Sequence, residues 1–381
     1  MDFQLTDEQK DIRDAARDFA ENEIAPSAIE RDIKAEFPYD IVKKMGELGF
    51  MGMMVAPEWG GAGMDTISYV LALEEISKVD ASVGVIMSVN NSLVCYGIEK
   101  WGTDEQKEKY LKPLASGEKL GAFCLSEPEA GSDATHQKTT AVLEGDHYVL
   151  NGIKNWITNG TTADFYFMQA MTSPELGYKG ISTFIVEKAF EGVETGIKED
   201  KLGIRSSDTS TVGLNNVRVP KENLLGEKGQ GFKFAMMTLN GGRIGIAAQA
   251  VGIAAASYEA AVRYSKQRKA FDAPISNLQA IQFKLADMAV KTDAARLLTL
   301  QAAWNKDNGL DYIKEAAMAK LYASKVSVEN SLESIQVHGG YGYVREYQVE
   351  RYLRDSKITE IYEGTSEIQR LVIARELIKS S

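Results

Sequence analysis

The stretch Tyr148-Val149-Leu150-Asn151-Gly152-Ile153-Lys154-Asn155-Trp156-Ile157-Thr158-Asn159-Gly160 decides the reading of the fold. β-Branched and aromatic residues dominate it, and the Asn-Gly pairs at 151–152 and 159–160 signal turns. Trp156 and Thr158 alternate, which lets both side chains lie on one face of a strand. Further strand-like runs occupy 123–125, 139–143, 165–170, 182–186 and 211–219, with turn signals at Glu144-Gly145-Asp146 and Glu191-Gly192. Short strands at this spacing predict a small antiparallel barrel or sandwich over 121–225. A β domain of that size needs its apolar faces supported by neighbouring elements.

Those neighbours read as helical on both sides. Thr6 with Gln9, and Thr103 with Gln106, have capping-box spacing. The first box opens a helix that Ile24-Ala25-Pro26 disrupts, and the second opens one ending near Pro113. Between them lie an amphipathic stretch over 37–49 and the loop Gly60-Gly61-Ala62-Gly63. An apolar-rich helix over 66–78 and a buried, small-residue-rich helix over 81–96 follow. After the β segment, helices are predicted over 228–267, 279–307, 312–338 and 366–379, with a break at Phe271-Asp272-Ala273-Pro274. Long helices with short links resemble an up-down bundle. The fold class is α+β in three domains: helical over 1–120, β over 121–225, and a helical bundle over 226–381.

A chain of 381 residues, 44% hydrophobic, is long enough for several sizeable cores. Its net charge of -11 argues against nucleic acid as a partner. Cys95 and Cys124 build neither a disulfide framework nor a metal site, and His136, His147 and His338 are widely separated. No metal is expected. Apolar runs stay below the roughly eighteen residues of a membrane span, so no membrane insertion is expected. Met1 leads directly into a charged helix without a targeting pattern. A cytoplasmic setting is therefore expected. A mature mitochondrial matrix protein, its targeting peptide removed, is the alternative.

Several segments carry chemistry-bearing residues, each with a plainer reading beside it. Ser126-Glu127-Pro128-Glu129-Ala130-Gly131-Ser132-Asp133 offers hydroxyls and backbone N–H groups to a polar ligand, or forms an ordinary polar turn. Trp156 with Thr158 supplies a flat surface and a hydrogen bond, which suits a planar heterocycle; a core tryptophan at a strand end is the alternative. Asn240-Gly241-Gly242-Arg243 opens or interrupts a long helix, where each glycine costs roughly 1 kcal/mol. Arg243 suits a phosphate or carboxylate ligand as well as it suits a salt bridge. Arg268-Lys269 ends a helix, where cations favour the dipole or bind pyrophosphate. In Ile361-Tyr362-Glu363-Gly364-Thr365-Ser366-Glu367, one carboxylate stands between an aromatic ring and a glycine. Held on a tight turn and desolvated, it suits proton abstraction. A surface turn acid is the competing reading.

Together these segments resemble the acyl-CoA dehydrogenase family. The matching motifs are Leu125-Ser126-Glu127-Pro128-Glu129-Ala130-Gly131-Ser132-Asp133, Lys154-Asn155-Trp156-Ile157-Thr158-Asn159, Gln336-Val337-His338-Gly339-Gly340-Tyr341-Gly342 and Ile361-Tyr362-Glu363-Gly364-Thr365. They stand in the family's order across essentially the whole chain. Ser88-Val89-Asn90-Asn91-Ser92-Leu93 and Arg243-Ile244-Gly245-Ile246-Ala247 look most like the short-chain, butyryl-CoA branch.

The resemblance implies a helical domain, a middle β domain and a C-terminal four-helix bundle. It also implies one noncovalent FAD per subunit, bound across subunits of a homotetramer. Phe123, Leu125, Ser126, Trp156 and Thr158 match cofactor positions, the last three around the flavin ring. Arg268, Phe271 and Gln279 match positions at the pyrophosphate and adenosine end, Gln336 and Gly340 positions around the adenine half, and Thr365 and Glu367 a further cofactor segment. Ser132, Asn240, Arg243 and Gly364 match positions near the acyl-CoA; Asn240 stands where some relatives have aspartate.

By the same resemblance Glu363 is the base that removes the pro-R α-proton of the thioester. A hydride from the β-carbon goes to flavin N5, the product is a trans-2-enoyl-CoA, and electron-transferring flavoprotein takes the electrons. The Glu363 N–H and the flavin ribityl 2′-hydroxyl polarise the thioester carbonyl like an oxyanion hole. Some relatives carry the base immediately before the arginine of the Arg243 motif; here that residue is Gly242. Glutaryl-CoA dehydrogenases typically carry an arginine near the Asn90–Asn91 segment, so a dicarboxylic substrate is disfavoured. Branched or alicyclic thioesters, enoyl-CoA reduction, and a non-catalytic acyl-CoA-binding role are the alternatives.

Overall fold

The structure is a computed structural model and describes residues 4–379. Helix α1 (Asp7–Phe19) begins at the expected capping box: the Thr6 side chain accepts from Gln9 N–H while the Gln9 side chain returns to the Thr6 backbone. Ile24-Ala25-Pro26 does not break the helix. A π-helical segment, Ala20–Ile24, leads directly into α2 (Ala25–Lys34), with Pro26 in the first turn. The π turn accommodates the proline: the Ala25 N–H bonds back to the Ala20 carbonyl, and the helical run continues past Pro26. Then come α3 (Tyr39–Glu47), α4 (Thr66–Val79), α5 (Ala81–Ser88), the π segment Val89–Cys95, α6 (Tyr96–Trp101), α7 (Asp104–Gln106) and α8 (Lys112–Ala115). Thr103 and Gln106 form the second capping box, and the helical run ends at Ala115, near Pro113 as expected.

The β domain comprises β1 (Gly121–Cys124), β2 (Thr140–Glu144), β3 (His147–Thr158), β4 (Phe165–Met171), β5 (Ile181–Glu187), β6 (Val193–Thr195), β7 (Thr209–Pro220) and β8 (Leu224–Leu225). Their order is β6-β7-β3-β2-β4-β5-β8, with β1 on β4. Most neighbours are antiparallel, but β1–β4 and β2–β4 pair in parallel. The Asn151-Gly152 turn signal is overruled. Strand β3 runs straight through it with a register shift, and Gly152 takes a positive φ of 149°. A Cβ there would press on Thr139 at 2.5 Å, so the glycine marks a close approach inside a strand rather than a chain reversal.

The C-terminal part contains α9 (Gly231–Gln267), the hairpin β9 (Lys269–Ala270) and β10 (Ala273–Pro274), α10 (Gln279–Asp307), α11 (Ile313–His338), α12 (Val349–Ile358) and α13 (Ser366–Lys379). Helices α9, α10, α11 and α13 form the bundle, and α4 also packs on α9. The two glycines at 241–242 neither open nor interrupt α9, which is continuous through them. Residues 244–257 of α9 are buried all round, as a central helix requires. The windows of Ala81–Trp101 and Gly231–Gln267 are long and apolar enough for a membrane, but 94% and 83% of them lie buried inside the protein. They are the cores of the first and last parts.

Candidate active site

Glu363 lies between α12 and α13 in the left-handed region, with φ 51°, and Gly364 follows at φ 94°. A non-glycine residue held there needs support from its surroundings. Gln369 of α13 provides part of it: its Nε2 donates to the carbonyls of Glu363 at 3.3 Å and Gly364 at 2.9 Å. Lys320 of α11 donates from Nζ to the Gly364 carbonyl at 2.7 Å. Ser324, one turn along α11, donates to the Thr359 carbonyl at 2.8 Å. The sequence alone did not single out Lys320 or Gln369.

The Glu363 carboxyl is turned inward against α9. A Cβ built on Gly242 would overlap its Oε2 and approach Leu93 Cδ2 at 2.7 Å. Gly242 is therefore the space in which the carboxylate rests, which accounts for a glycine inside a helix. Oε2 is enclosed and has no hydrogen-bond partner among the described residues. Desolvation raises the Glu363 pKa to about 7, against the opposing pull of the Lys320 and Arg243 charges. Arg243, buried on the next position of α9, donates to Asn240 Oδ1 at 2.7 Å while its Nε is orphaned. Its environment lowers its pKa to about 10 through burial. Behind the base, the Tyr362 hydroxyl donates to Gln249 Oε1, and Gln249 Nε2 donates to the Ala81 carbonyl at 2.7 Å. Gln249 thus ties Tyr362 on one side to the start of α5 on the other. Among the described residues the Glu363 N–H donates to no protein acceptor.

The β domain supplies a second group of residues. Lys154 pairs with Val212 and Ile157 with Ser210, so Asn155 and Trp156 stand opposite Thr211 alone. This bulge puts Trp156 at φ 60° with 63% of its surface exposed, while Ile157 turns into the core. Trp156 is thus exposed and Thr158 half-buried, with the bulge rather than simple alternation turning Trp156 out. The Asn155 N–H donates to the Ser126 carbonyl at 2.9 Å, which brings the Leu125–Ser126 segment after β1 next to the Asn155–Trp156 bulge. Phe123, earlier on β1, stacks on Phe167 with ring centroids 5.5 Å apart. Asn159 Oδ1, Ser206 Oγ, Ser207 Oγ and Asp208 Oδ1 are buried without partners at the same end of the strands.

The polar loop that follows β1 is fastened by a buried ion pair. Lys154, fully buried, donates to Glu127 Oε1 at 2.7 Å, Gln137 Oε1 at 2.9 Å and the Leu125 carbonyl at 3.2 Å. Glu127 also accepts from the N–H groups of Lys138 and Thr139, at 2.6 and 3.1 Å. Burial pushes the Glu127 pKa up, but Lys154 and these donors outweigh it and hold the carboxyl below its ordinary value. Ser132 sits on the exposed tip of this loop. Replacing Lys154 by Met strands the carboxylate and is expected to cost roughly 3–5 kcal/mol in urea unfolding. Loss of under 1 kcal/mol would show that the pair is not the fastening.

The remaining sequence-predicted residues lie apart from Glu363. Arg268 and Gly340 line a cleft of about 610 Å³ with Tyr264, Ile275, His338 and Tyr341. Phe271 is 88% exposed on the β9–β10 turn, and Gln279 begins α10. Gln336 is exposed on α11. Arg268 caps α9 in an extended conformation and lies over the Tyr341 ring at 5.4 Å. Neither Trp156 nor Glu363 lines this cleft. Thr365 accepts weakly from Ile368 N–H at 3.4 Å at the start of α13, and Glu367 is exposed. The amides of Asn90 and Asn91 are consumed by backbone: Asn90 bonds Met51 and Leu114 carbonyls and Gly121 N–H, and Asn91 bonds Phe50 and Met87 carbonyls and Met53 N–H.

Glu363 thus sits on a turn of the helical bundle, and Trp156 and Thr158 at the end of β3. The chain matches the acyl-CoA dehydrogenase N-terminal domain over residues 6–118, the middle domain over 122–217 and the C-terminal domain over 229–378. The chain belongs to the acyl-CoA dehydrogenase family. It is 51% identical over 379 residues to the short-chain specific acyl-CoA dehydrogenase of Clostridium acetobutylicum, covering 100% of both chains. It is 54% identical to the short-chain specific mitochondrial enzyme of Rattus norvegicus, covering 99% of this chain and 92% of that one. The butyryl-CoA dehydrogenase structure from Megasphaera elsdenii superposes with a TM-score of 0.98 at 48% identity, covering 99% of this chain and 100% of that one. A chain from the structure of the electron transferring flavoprotein of Acidaminococcus fermentans superposes at 0.99 with 51% identity, covering 100% of both. This acyl-CoA dehydrogenase thus shares its fold with short-chain relatives along nearly all of the sequence given.

Proposed function

We propose that this acyl-CoA dehydrogenase oxidises a short-chain acyl-CoA, with butyryl-CoA as the reference substrate, to the trans-2-enoyl-CoA, with Glu363 as the base. The observation that carries the assignment of Glu363 is its enclosed, unpartnered Oε2 against Gly242. A carboxylate in that setting is basic enough to accept a carbon-bound proton and has no competing donor. The free Glu363 N–H is placed to polarise the thioester carbonyl as negative charge develops there. Identities of 51% and 54% to short-chain specific relatives support a short acyl chain.

The residues present fit FAD. The exposed Trp156 indole and the Thr158 and Ser126 hydroxyls suit its ring, and the orphaned polar atoms of Asn159, Ser206 and Ser207 lie nearby. Bound FAD supplies the acceptor for the β-hydrogen and its electron pair. Phe123, Leu125, Thr365 and Glu367 complete the near side of the cofactor site in this reading. Arg268, Phe271, Gln279, Gln336 and Gly340 stand on the outer side of the bundle and serve a cofactor bound with a neighbouring subunit of a homotetramer. Phe283, Val290, Leu297 and Trp304, spaced seven apart and all more than half exposed on α10, support such an assembly. Ser132, Asn240, Arg243 and Gly364 face the thioester ligand. Electrons pass to electron-transferring flavoprotein, the partner named with a relative of TM-score 0.99. The amides of Asn90 and Asn91, bound to backbone, supply no cation for a dicarboxylic substrate. We place the domain boundaries near 120 and 225 and the protein in the cytoplasm, in keeping with its bacterial relatives.

The visible spectrum tests this reading. Purified protein should be yellow and bleach when butyryl-CoA is added without oxygen. A yellow protein that bleaches only with branched or cyclic thioesters would move the substrate, and a colourless protein that stays inert after FAD addition would overturn the enzymatic reading. The pH profile is a second check. Only the carboxylate form of Glu363 abstracts a proton, so kcat/KM should fall as pH drops through about 7. A profile flat down to pH values near ~5, well below that midpoint, would contradict it.

A further inference from the structure

We propose that Lys320 is a positioning residue for the reaction: its buried ammonium locks the turn that carries Glu363 and its charge sets the pH at which that base works. This rests on the reading of Glu363 as the base. Lys320 is fully buried, and its one hydrogen-bond acceptor among the described residues is the Gly364 carbonyl, at 2.7 Å. It has no carboxylate within ion-pair distance among the described residues, unlike the other fully buried lysine, Lys154. A buried charge without a carboxylate contact is costly, so its retention beside the reacting group calls for a role.

The geometry supplies that role in two ways. Gln369 from α13 donates to the carbonyls of both Glu363 and Gly364, and Lys320 from α11 joins it on that of Gly364. Glu363 and Gly364 have positive φ, and the two donors fix the peptide planes there. These planes lie on the C-terminal side of the Glu363 Cα, so fixing them fixes the angle at which its carboxyl enters the site. Charge is the second way. Facing the carboxyl are Lys320 from α11, Arg243 from α9 and the neutral phenols of Tyr69 and Tyr362. Facing Lys320 are Glu363, Arg243, and the carboxylates of Glu360 and Glu367. Lys320 is named ahead of Arg243 among the charges that oppose desolvation of the base. Burial in turn lowers the Lys320 pKa to about 8, with Glu363 as the foremost group holding it up. The two groups therefore titrate as a coupled pair around neutrality.

The test is the pH dependence of anaerobic flavin reduction in the FAD-loaded protein at butyryl-CoA well below saturation, which reports ionisation of the free enzyme. Lys320→Met removes the charge and keeps the stem. Its acid limb should move to higher pH by about one unit or more, so that the rate at the low end of the profile falls roughly tenfold further than at the high end. Lys320→Arg keeps the charge and should keep the limb within a few tenths of a unit. Should Lys320→Met be insoluble, Lys320→Gln carries the same comparison, since its amide can still donate to the Gly364 carbonyl. A uniform loss at every pH, or no change at all, in the charge-removing variant would overturn the proposal. Glu363→Gln, run alongside, separates the two readings: if it retains the reaction, the base assignment fails; if it is inert while the Lys320 limb is unmoved, only the role of Lys320 fails.

Discussion

Glu363→Gln should bind FAD and butyryl-CoA normally and reduce the flavin roughly 10²–10⁴-fold more slowly, the range a positioned general base contributes. The amide keeps the shape of the side chain, and its carbonyl can still face Lys320 and Arg243. What it loses is a lone pair basic enough to take a carbon-bound proton. Stopped-flow absorbance without oxygen reads the effect directly, because binding and flavin reduction appear as separate phases. A rate within a factor of three of wild type would remove Glu363 from the mechanism.

Gly242→Ala should be nearly as damaging, although the residue has no side chain and lies within α9. The new methyl group occupies the space where Glu363 Oε2 rests and also presses on Leu93. The carboxyl must move, and a displacement of about 1 Å at a reacting group costs about 100-fold. Stability should change little. Alanine gains roughly 1 kcal/mol of helix propensity over glycine, which offsets part of the local clash. The expected result is therefore a folded, yellow protein with normal thermal unfolding and poor turnover. A normal turnover number would show that the carboxylate works from another position.

Some of this was plain from the chain itself. Two capping boxes, at Thr6 and Thr103, were placed correctly because their hydrogen bonds are local. The four long helices of the bundle ended within a few residues of expectation, since small and apolar residues run through them and Pro274 and the glycines stop them. Other readings failed where non-local contacts outweighed a local signal. Asn151-Gly152 reads as a turn, yet pairing of β3 with β2 on one side and β7 on the other pulls it into a continuous strand. Helix α12 was not anticipated. Its buried face includes Arg351 and Asp355 beside Val349 and Tyr352, so burial does not follow hydrophobicity there. Asp355 accepts from Ile204 N–H at 2.5 Å in the β domain, a contact with no trace in the local sequence.

The candidate site divides along the same line. The sequence by itself determined which residue types are on hand: a carboxylate before a glycine at 363–364, a Trp-x-Thr at a strand end, and a glycine pair before Arg243. Their spacing is local and their chemistry is intrinsic, so both survive in the one-dimensional string. Only the tertiary structure decided that Gly242 makes room for Glu363, that Lys320 and Gln369 hold its turn, and that Arg268 and Gly340 belong to a separate cleft. The basicity of Glu363 was settled there too. It comes from desolvation, held in check by the charges that α9 and α11 bring in, and these depend on distance in space rather than position in the chain.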